Sequence, residues 1–378
     1  MDKLIPVTII TGFLGAGKTT LLNRVLSEDH GEKIAIIENE FGEANIDSDL
    51  IVKNENEEII TMSNGCICCT IRGDLVENVL KLLERKDSGE LEFDRVIIET
   101  TGVADPGPVA QTFFMDEQVA ERFMVDGIIT VVDALNGGRT LTEETCSQAQ
   151  VGFADRILLT KVDLVDDKEA VHDLIHRLHH INSRAPILEV NMGEVDIKEV
   201  LDIHGFNMDT ILELDPDFLK ETEEECECSC DHDHHDHDEC CCGHHHDHEH
   251  EHDHDHEHEH GECCCGHDHH HHHHEHKSYD DEIATFLYTS EKPFDPARLD
   301  RYLQSLVAVK GPDLLRYKGV LYMTGTDRKM IFQGVHMLMA ADLGAPWKDE
   351  KPISKIVFIG RKLPQEAIIQ GLNTCLAE

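Results

Sequence analysis

The 378-residue sequence predicts an α/β fold built on a mostly parallel sheet, followed by a disordered insert rich in histidine and cysteine and by a smaller α+β C-terminal domain. Short apolar runs alternate with helix-like stretches through the first half, a pattern typical of strands buried on both faces of a parallel sheet. A low-complexity stretch then interrupts the chain, and a globular pattern returns after Lys277. We therefore predict a first domain over residues 1–214, an insert over 215–277 and a C-terminal domain over 278–378.

Each apolar run is bounded by turn residues, which marks it as one short strand. In the first half, we predict strands at Val7–Ile10, Ile34–Ile37, Ile59–Met62, Val96–Ile98, Ile128–Val132, Ile157–Leu159 and Ile187–Val190. Helices are predicted between these strands at Lys18–Leu26, Leu75–Arg85 and Lys168–His180. In the C-terminal part, we predict strands at Ile283–Tyr288, Gly319–Met323, Met330–Gly334 and Lys355–Ile359, and helices at Pro296–Leu306 and Gln365–Leu372.

The charge of the chain is concentrated in the insert. The formal net charge is -43, and the window from Glu221 to His276 holds 20 acidic residues and no Lys or Arg. The rest of the chain is also acidic, which disfavours nucleic acid and anionic membranes as partners. Because the window has almost no aliphatic residue, it cannot bury enough apolar surface to fold, and we predict that it is disordered without metal.

The insert is also rich in metal-ligating side chains. Residues Cys226 to His276 include 22 His and nine Cys. Most imidazoles are uncharged near neutral pH and are then free to bind metal, so we expect several ions at modest affinity. The alternative interpretation is a solvated acidic linker in which the histidines are incidental.

Cysteine usage indicates the compartment. Of the 14 cysteines, nine lie in the insert and three form the cluster Cys66, Cys68 and Cys69, whereas a disulfide framework would spread them through a short secreted chain. The N-terminus lacks a secretory pattern, and the apolar run Leu4–Ile10 is too short to span a bilayer. We expect a cytoplasmic protein with reduced thiols.

A glycine-rich motif follows the first predicted strand and opens the first predicted helix, which is the context of a Walker A loop. Lys18 is expected to reach the β- and γ-phosphates and to act in catalysis, and Thr19 to coordinate Mg²⁺. The alternative is a glycine-rich turn that binds nothing. The expected nucleotide-binding residues of this motif are Gly12, Gly15, Ala16, Gly17, Lys18, Thr19 and Thr20.

A second motif, Thr160-Lys161-Val162-Asp163, ends a later predicted strand and favours guanine over adenine. Asp163 can accept two hydrogen bonds from the Watson–Crick edge of guanine, which adenine does not offer. The stem of Lys161 can lie over the base. Thr160, Lys161 and Asp163 are therefore predicted nucleotide-binding residues.

A third motif, Glu99-Thr-Thr-Gly102, follows the predicted strand Val96–Ile98. Glu99 is expected to act in catalysis, either on Mg²⁺ through water or on the attacking water, and Gly102 allows the backbone to approach the γ-phosphate. Asp47 is predicted as a further Mg²⁺ ligand or switch residue. An ordinary exit from a strand is the alternative interpretation of the motif.

The cluster Cys66, Cys68 and Cys69 lies between a predicted strand and a predicted helix. Three thiols within four residues can converge on one borderline or soft metal ion. Zinc requires a fourth ligand, for which we predict Glu40, with water as the alternative. Three buried cysteines without a ligand role remain the other interpretation.

Together these motifs resemble those of the CobW-like family of GTPases, which are relatives of the nickel-insertion GTPases of urease and hydrogenase. Besides the motifs above, the resemblance includes the switch-like stretch Glu38–Gly42 and the C-terminal residues Arg316–Met323. It covers nearly the whole chain outside the insert. It implies GTP hydrolysis that depends on Mg²⁺ and is coupled to the delivery of a metal to a client protein. Members of the family are linked to zinc allocation, to cobalt in cobalamin synthesis and to the activation of metal-dependent hydratases.

The sequence therefore predicts a GTP-regulated zinc chaperone that acts on a client metalloprotein. A cobalt (Co²⁺) chaperone for cobalamin biosynthesis is the alternative within this class. Outside it, the alternatives are a metal buffer with a vestigial nucleotide site and a small-molecule kinase. Neither the client nor the metal is fixed by the residues, and a homodimer is left open.

Overall fold

The computed structural model describes residues 4–28, 31–39, 58–62, 71–206, 281–348 and 350–377. Its N-terminal part forms a seven-stranded sheet in the order β3-β2-β4-β1-β5-β6-β7, and all the described strand pairs are parallel. The strands are β1 (Ile5–Thr11), β2 (Ile34–Asn39), β3 (Glu58–Met62), β4 (Arg95–Glu99), β5 (Phe123–Asp133), β6 (Arg156–Thr160) and β7 (Ile187–Val190). The predicted parallel sheet is thus confirmed.

Helices cover both faces of this sheet, because the central strands bury apolar side chains on each side. Val7 and Ile9 of β1 belong to one buried cluster, and Ile10 belongs to another that contains Leu21 and Val25 of the first helix. The helices are α1 (Lys18–Ser27), α2 (Ile71–Asp87), α3 (Gly107–Met115), α4 (Glu117–Ala120), α5 (Gly137–Glu143), α6 (Thr145–Phe153) and α7 (Lys168–Ile181). None of the described helices is long and apolar enough to cross a membrane.

The C-terminal part forms an antiparallel sheet of five strands in the order β11-β10-β9-β12-β8. The strands are β8 (Ile283–Ser290), β9 (Leu314–Leu321), β10 (Arg328–Val335), β11 (Leu338–Pro346) and β12 (Ser354–Arg361). Two helices, α8 (Pro296–Lys310) and α9 (Gln365–Asn373), complete the predicted α+β architecture.

Two C-terminal elements differ from the prediction. Strand β11 was not predicted, because most of its residues are partly or fully exposed and its sequence lacks a regular apolar alternation. Strand β9 begins at Leu314, five residues before the predicted Gly319. It ends before Met323, which instead pairs with Phe294 in an isolated bridge.

Strand β12 of the C-terminal sheet is buried on both faces. Along β12, Ile356 and Phe358 pack with α8 and α9, whereas Val357 and Ile359 join the buried cluster that includes the N-terminal strands. Strand geometry sends successive side chains to opposite faces, so a continuous apolar strand can serve two cores. The two sheets consequently lie in one compact unit.

A buried ion pair also joins the two sheets. Asp155, which precedes β6, lies 2.5 Å from Nη2 of Arg316 on β9, and both side chains are almost fully buried. Lys318 adds a second positive charge 3.5 Å from the same carboxylate oxygen. Burial alone would raise the pKa of Asp155, but the charges of Arg316 and Lys318 outweigh it and hold the pKa below its usual value.

Asp155→Ala is expected to lower the free energy of unfolding by about 3–5 kcal/mol, because it leaves the buried Arg316 and the partly buried Lys318 without their partner. The pKa of Asp155 is lower in the folded protein than in the unfolded chain, where it is about 3.9, so the ionised carboxylate stabilises the fold above about pH 3.9. This contribution is lost as the pH falls through the pKa of the folded state. The wild type should therefore lose stability steeply below about pH 3.9, and the variant less steeply. Urea unfolding at several pH values measures both effects.

Asp87→Asn is the control for this experiment, because the Asp87 pair with Arg122 is open to solvent. It should leave the midpoint of unfolding unchanged. An Asp155→Ala variant as stable as Asp87→Asn would contradict the role given to the buried pair.

Candidate functional site

The loop between β1 and α1 has the backbone conformation of a phosphate cradle. Gly12, Gly15 and Gly17 all have positive φ, at 138°, 73° and 105°. A Cβ at Gly12 would come within 2.2 Å of the carbonyl oxygen of Val131 on β5. Only glycine fits such positions without strain, so the glycines let the backbone wrap closely around a ligand.

Lys18 and the start of α1 make this loop attractive to anions. The Lys18 side chain is buried, and its Nζ donates to the carbonyl oxygens of Gly12 at 2.9 Å and Phe13 at 3.3 Å. The ammonium group is thus held over the loop at the N-terminus of a helix, where the dipole favours negative charge. Ala16 is buried beneath the loop, and Thr20 is exposed in the first turn of α1.

The end of β6 fixes the loop from one side. Thr160 Oγ1 donates to the carbonyl oxygen of Ala16 at 2.7 Å, and Lys161 Nζ donates to that of Gly15 at 2.8 Å. Lys161 has a left-handed backbone, with φ of 59°. Asp163 follows in a short 3-10 turn, Val162–Leu164, and is exposed. The structure therefore brings the predicted base motif and the phosphate loop together.

Asp133, at the end of β5, completes this link. It accepts hydrogen bonds from Lys161 Nζ at 2.8 Å and from Asn136 Nδ2 at 3.0 Å. Burial alone would raise the pKa of Asp133, but the hydrogen bond from Lys161 and that from Asn136 outweigh it and keep the pKa below its usual value. The carboxylate therefore stays charged and holds Lys161 beside the loop.

The structure also places Glu99 beside Thr19. The Thr19 hydroxyl donates to Glu99 Oε1 at 3.3 Å, across the gap between α1 and the end of β4. A hydroxyl and a carboxylate are hard oxygen ligands of the kind that Mg²⁺ prefers. The two side chains therefore fit the predicted Mg²⁺ site.

Gly102 lies directly against the phosphate loop. A Cβ at this position would come within 2.5 Å of the backbone nitrogen of Leu14. The turn before it is fixed to β1, where Thr100 Oγ1 donates to Thr11 Oγ1 at 2.8 Å. A side chain at position 102 would therefore displace the turn from the phosphate loop, and the approach of this backbone to the γ-phosphate stays a prediction.

A cavity of about 250 Å³ opens beside the loop. Its walls come from the phosphate loop, the end of β5 and the facing sides of α5 and α6, and they include Leu14, Asp133, Arg139 and Gln150. Lys161 also lines it, so the cavity adjoins the link between the base motif and the loop.

Part of the predicted site lies outside the described residues. This holds for the predicted metal ligands Cys66, Cys68, Cys69 and Glu40, for the predicted Mg²⁺ ligand Asp47, and for the insert. Within the ranges that the structure does describe, no group of three or more His, Cys, Asp or Glu side chains is arranged to hold a metal ion.

Sequence reasoning missed two residues of the site. Asp133 directly follows the apolar run Ile128–Val132, so its position at the carboxyl end of a strand was a usable signal. Gln150 lies within α6 and is 1% exposed. No local sequence pattern distinguishes it from other glutamines.

The fold and the loop define a P-loop nucleotide-binding domain, and comparison with known families agrees. Residues 6–189 match the family described as CobW/HypB/UreG, nucleotide-binding domain, and residues 283–376 match the cobalamin synthesis protein cobW C-terminal domain. The chain belongs to this family, as its motifs predicted.

Individual relatives extend the match over almost the whole chain. It is 37% identical to the zinc chaperone YjiA of Escherichia coli over 365 residues, which covers 96% of each chain. It is 38% identical to the zinc-regulated GTPase metalloprotein activator 1 of Schizosaccharomyces pombe over 209 residues, covering 53% of this chain and 50% of the relative. The crystal structure of zinc-bound YjiA GTPase from E. coli superposes with a TM-score of 0.70 at 32% identity, over 99% of this chain and 100% of the other.

Gly102→Ala is expected to weaken the binding of a GTP analogue about tenfold, because the added methyl group forces the turn away from Leu14. Fluorescence titration with a labelled nucleotide measures the dissociation constant. Gly138→Ala in α5 is the matched control, since a Cβ there meets no atom within 4 Å. Equal affinities of the two variants would contradict the close packing proposed for Gly102.

Proposed function

We propose that this chain is a cytoplasmic GTP-dependent metallochaperone that binds zinc and delivers it to a client metalloprotein. The observation that carries the proposal is the assembly of Lys18, Thr19, Glu99 and Lys161 around one glycine cradle. Its support from relatives is the match with a zinc chaperone over 96% of both chains. The proposed protein has three segments: a GTPase domain over residues 1–214, a metal-binding insert over 215–277 and a C-terminal domain over 278–378.

The nucleotide chemistry follows from the described side chains. The ammonium of Lys18 exchanges its loop carbonyls for the β- and γ-phosphate oxygens, which are stronger acceptors because they are charged. Glu99, at the end of β4, orients the attacking water, and Gly102 lets the turn follow the γ-phosphate. Thr19 and Glu99 would hold Mg²⁺, which would supply positive charge to the phosphate oxygens.

Guanine specificity comes from Asp163 and Lys161. The hydrogen bond from Lys161 to the Gly15 carbonyl fixes the position of the Lys161 stem relative to the phosphates. A base lying on that stem meets the exposed carboxylate of Asp163, two residues further on. The carboxylate is an acceptor only, so it selects a base edge with two N–H donors.

Zinc is the cargo in this proposal. Cys66, Cys68 and Cys69 bind it as thiolates, with Glu40 as the fourth ligand, so binding releases protons and weakens at low pH. The cysteines follow β3, and β3 is hydrogen-bonded to β2 in the same sheet that carries Glu99. Metal binding and the γ-phosphate can therefore act on neighbouring loops at one edge of the sheet, and the insert supplies a tethered store of ions.

Asp163→Asn should invert the base preference, because an amide can donate to the 2-oxo group of xanthine, whereas a carboxylate cannot. GTP affinity should fall about 100-fold, as expected when a charged hydrogen-bond acceptor worth roughly 1.5–3 kcal/mol is lost. Xanthosine triphosphate should bind the variant better than GTP does. Asp166→Asn, three residues further along the exposed turn, is the control, and it should bind GTP like the wild type.

Replacing Cys66, Cys68 and Cys69 together by Ser should abolish tight zinc binding and any effect of zinc on GTP hydrolysis. A competing chelator holds the concentration of free metal ion low enough that only the tightest site is occupied. The matched control replaces the insert triplet Cys240, Cys241 and Cys242 by Ser and should retain both properties. Full zinc affinity in the first variant would overturn the assigned site, and a parallel Co²⁺ titration identifies the metal that changes turnover.

A further inference from the structure

Gln150 connects helix α6 to the turn that follows Glu99. Its Nε2 donates to the carbonyl oxygens of Gly102 at 3.2 Å and of Ala104 at 3.0 Å. The side chain is 1% exposed, so water does not compete for these bonds. One amide group thus holds two carbonyl groups of the turn.

The helix that carries Gln150 is itself firmly held. Thr130 Oγ1 on β5 donates to the backbone carbonyl of Gln150 at 2.6 Å. From the other side, the buried Asn182 donates to the carbonyls of Val151 at 2.8 Å and Ala154 at 2.9 Å. The amide of Gln150 therefore projects from a rigid part of the fold toward the turn.

The turn requires such a restraint because of its glycine. Position 102 must lack a Cβ, which would lie 2.5 Å from the backbone nitrogen of Leu14. Glycine also leaves the backbone free to rotate, and this freedom opposes a fixed arrangement beside the phosphates. Two hydrogen bonds from a rigid donor remove that freedom without adding bulk.

We propose that Gln150 is a positioning residue that holds the Gly102–Ala104 turn ready to recognise the γ-phosphate. The inference rests on the proposed GTP-hydrolysing function. The proposed role of Gln150 is carried by its two hydrogen bonds to the turn and not by a contact with the nucleotide. Gln150 acts by fixing the carbonyls of the turn, so its loss should affect the triphosphate state more than the diphosphate state.

Gln148 provides a matched control on the same helix. It is 4% exposed, and its Nε2 donates to the carbonyl of Leu141 at 2.9 Å and to Asp281 at 3.2 Å. Gln148 Oε1 also accepts a hydrogen bond from the backbone nitrogen of Glu282 at 3.0 Å, so Gln148→Leu removes three side-chain hydrogen bonds and Gln150→Leu removes two, but only Gln150→Leu releases the turn. Gln150→Glu is a second variant with the same size, and its carboxyl group donates one hydrogen bond when protonated and none when ionised, so it does not replace both bonds of the amide.

The experiment measures dissociation constants for a non-hydrolysable GTP analogue and for GDP, the maximal hydrolysis rate with Mg²⁺, and the melting temperature. Gln150→Leu and Gln150→Glu should lower the ratio of analogue to GDP affinity about tenfold, or about 1.4 kcal/mol, and should lower the maximal rate. Gln148→Leu should keep the wild-type ratio and rate. Identical ratios for all variants and the wild type would overturn the inference.

Amide hydrogen exchange of the full-length wild type tests the same point without a mutation. The GTP analogue should slow exchange in the peptide over residues 101–106 relative to GDP, with the α6 peptide around Gln150 equally protected in both states. If α6 and the turn lose protection together, Gln150 is not a fixed support and the inference fails. A wild type that does not hydrolyse GTP would instead overturn the proposed function, and the affinity ratios would still decide the role of Gln150.

Discussion

Two hydrogen bonds from the end of β6 hold the phosphate loop in shape, and the other parts of the site are arranged around them. Thr160 binds the carbonyl of Ala16, and Lys161 binds the carbonyl of Gly15. These residues belong to the predicted base motif, so the element proposed to select guanine also sets the conformation of the phosphate loop. Asp133 keeps Lys161 in place through an ion pair at 2.8 Å. The predicted base motif and the phosphate loop are therefore held together by direct hydrogen bonds.

Helix α6 extends this arrangement to the C-terminal sheet. Gln150 contacts the turn after Glu99, and two residues later a Cβ on Gly152 would come within 2.9 Å of the Leu315 side chain on β9. The carbonyl of Phe153 then accepts a hydrogen bond from Arg316, the partner of Asp155. A single nine-residue helix thus contacts both the nucleotide site and the second sheet. In a densely packed interior, small shifts at one end of such an element are transmitted rather than absorbed.

Much of the fold and of the nucleotide site could be predicted from the sequence, because both depend on local patterns. Short runs of consecutive apolar residues indicate strands that are buried on both faces of a parallel sheet, and a glycine-rich loop before a helix indicates a phosphate site. The restraints supplied by Gln150 and by the pair of Asp155 with Arg316 could not be predicted, since their partners lie 48 and 161 positions apart along the chain and become neighbours only in the fold. Strand β11 escaped prediction because it lies at the edge of its sheet with many exposed residues.

In the proposed function zinc binding and the nucleotide state are coupled, and by thermodynamic linkage such coupling must be reciprocal. The most direct measurement is the zinc affinity of the full-length protein, by chelator competition, with a non-hydrolysable GTP analogue and with GDP. The account predicts that the tightest zinc site binds at least fivefold more strongly with the analogue, a coupling of about 1 kcal/mol. It also predicts that the difference disappears when Cys66, Cys68 and Cys69 are replaced by Ser. Equal zinc affinities in the two nucleotide states would contradict it and would favour a metal buffer.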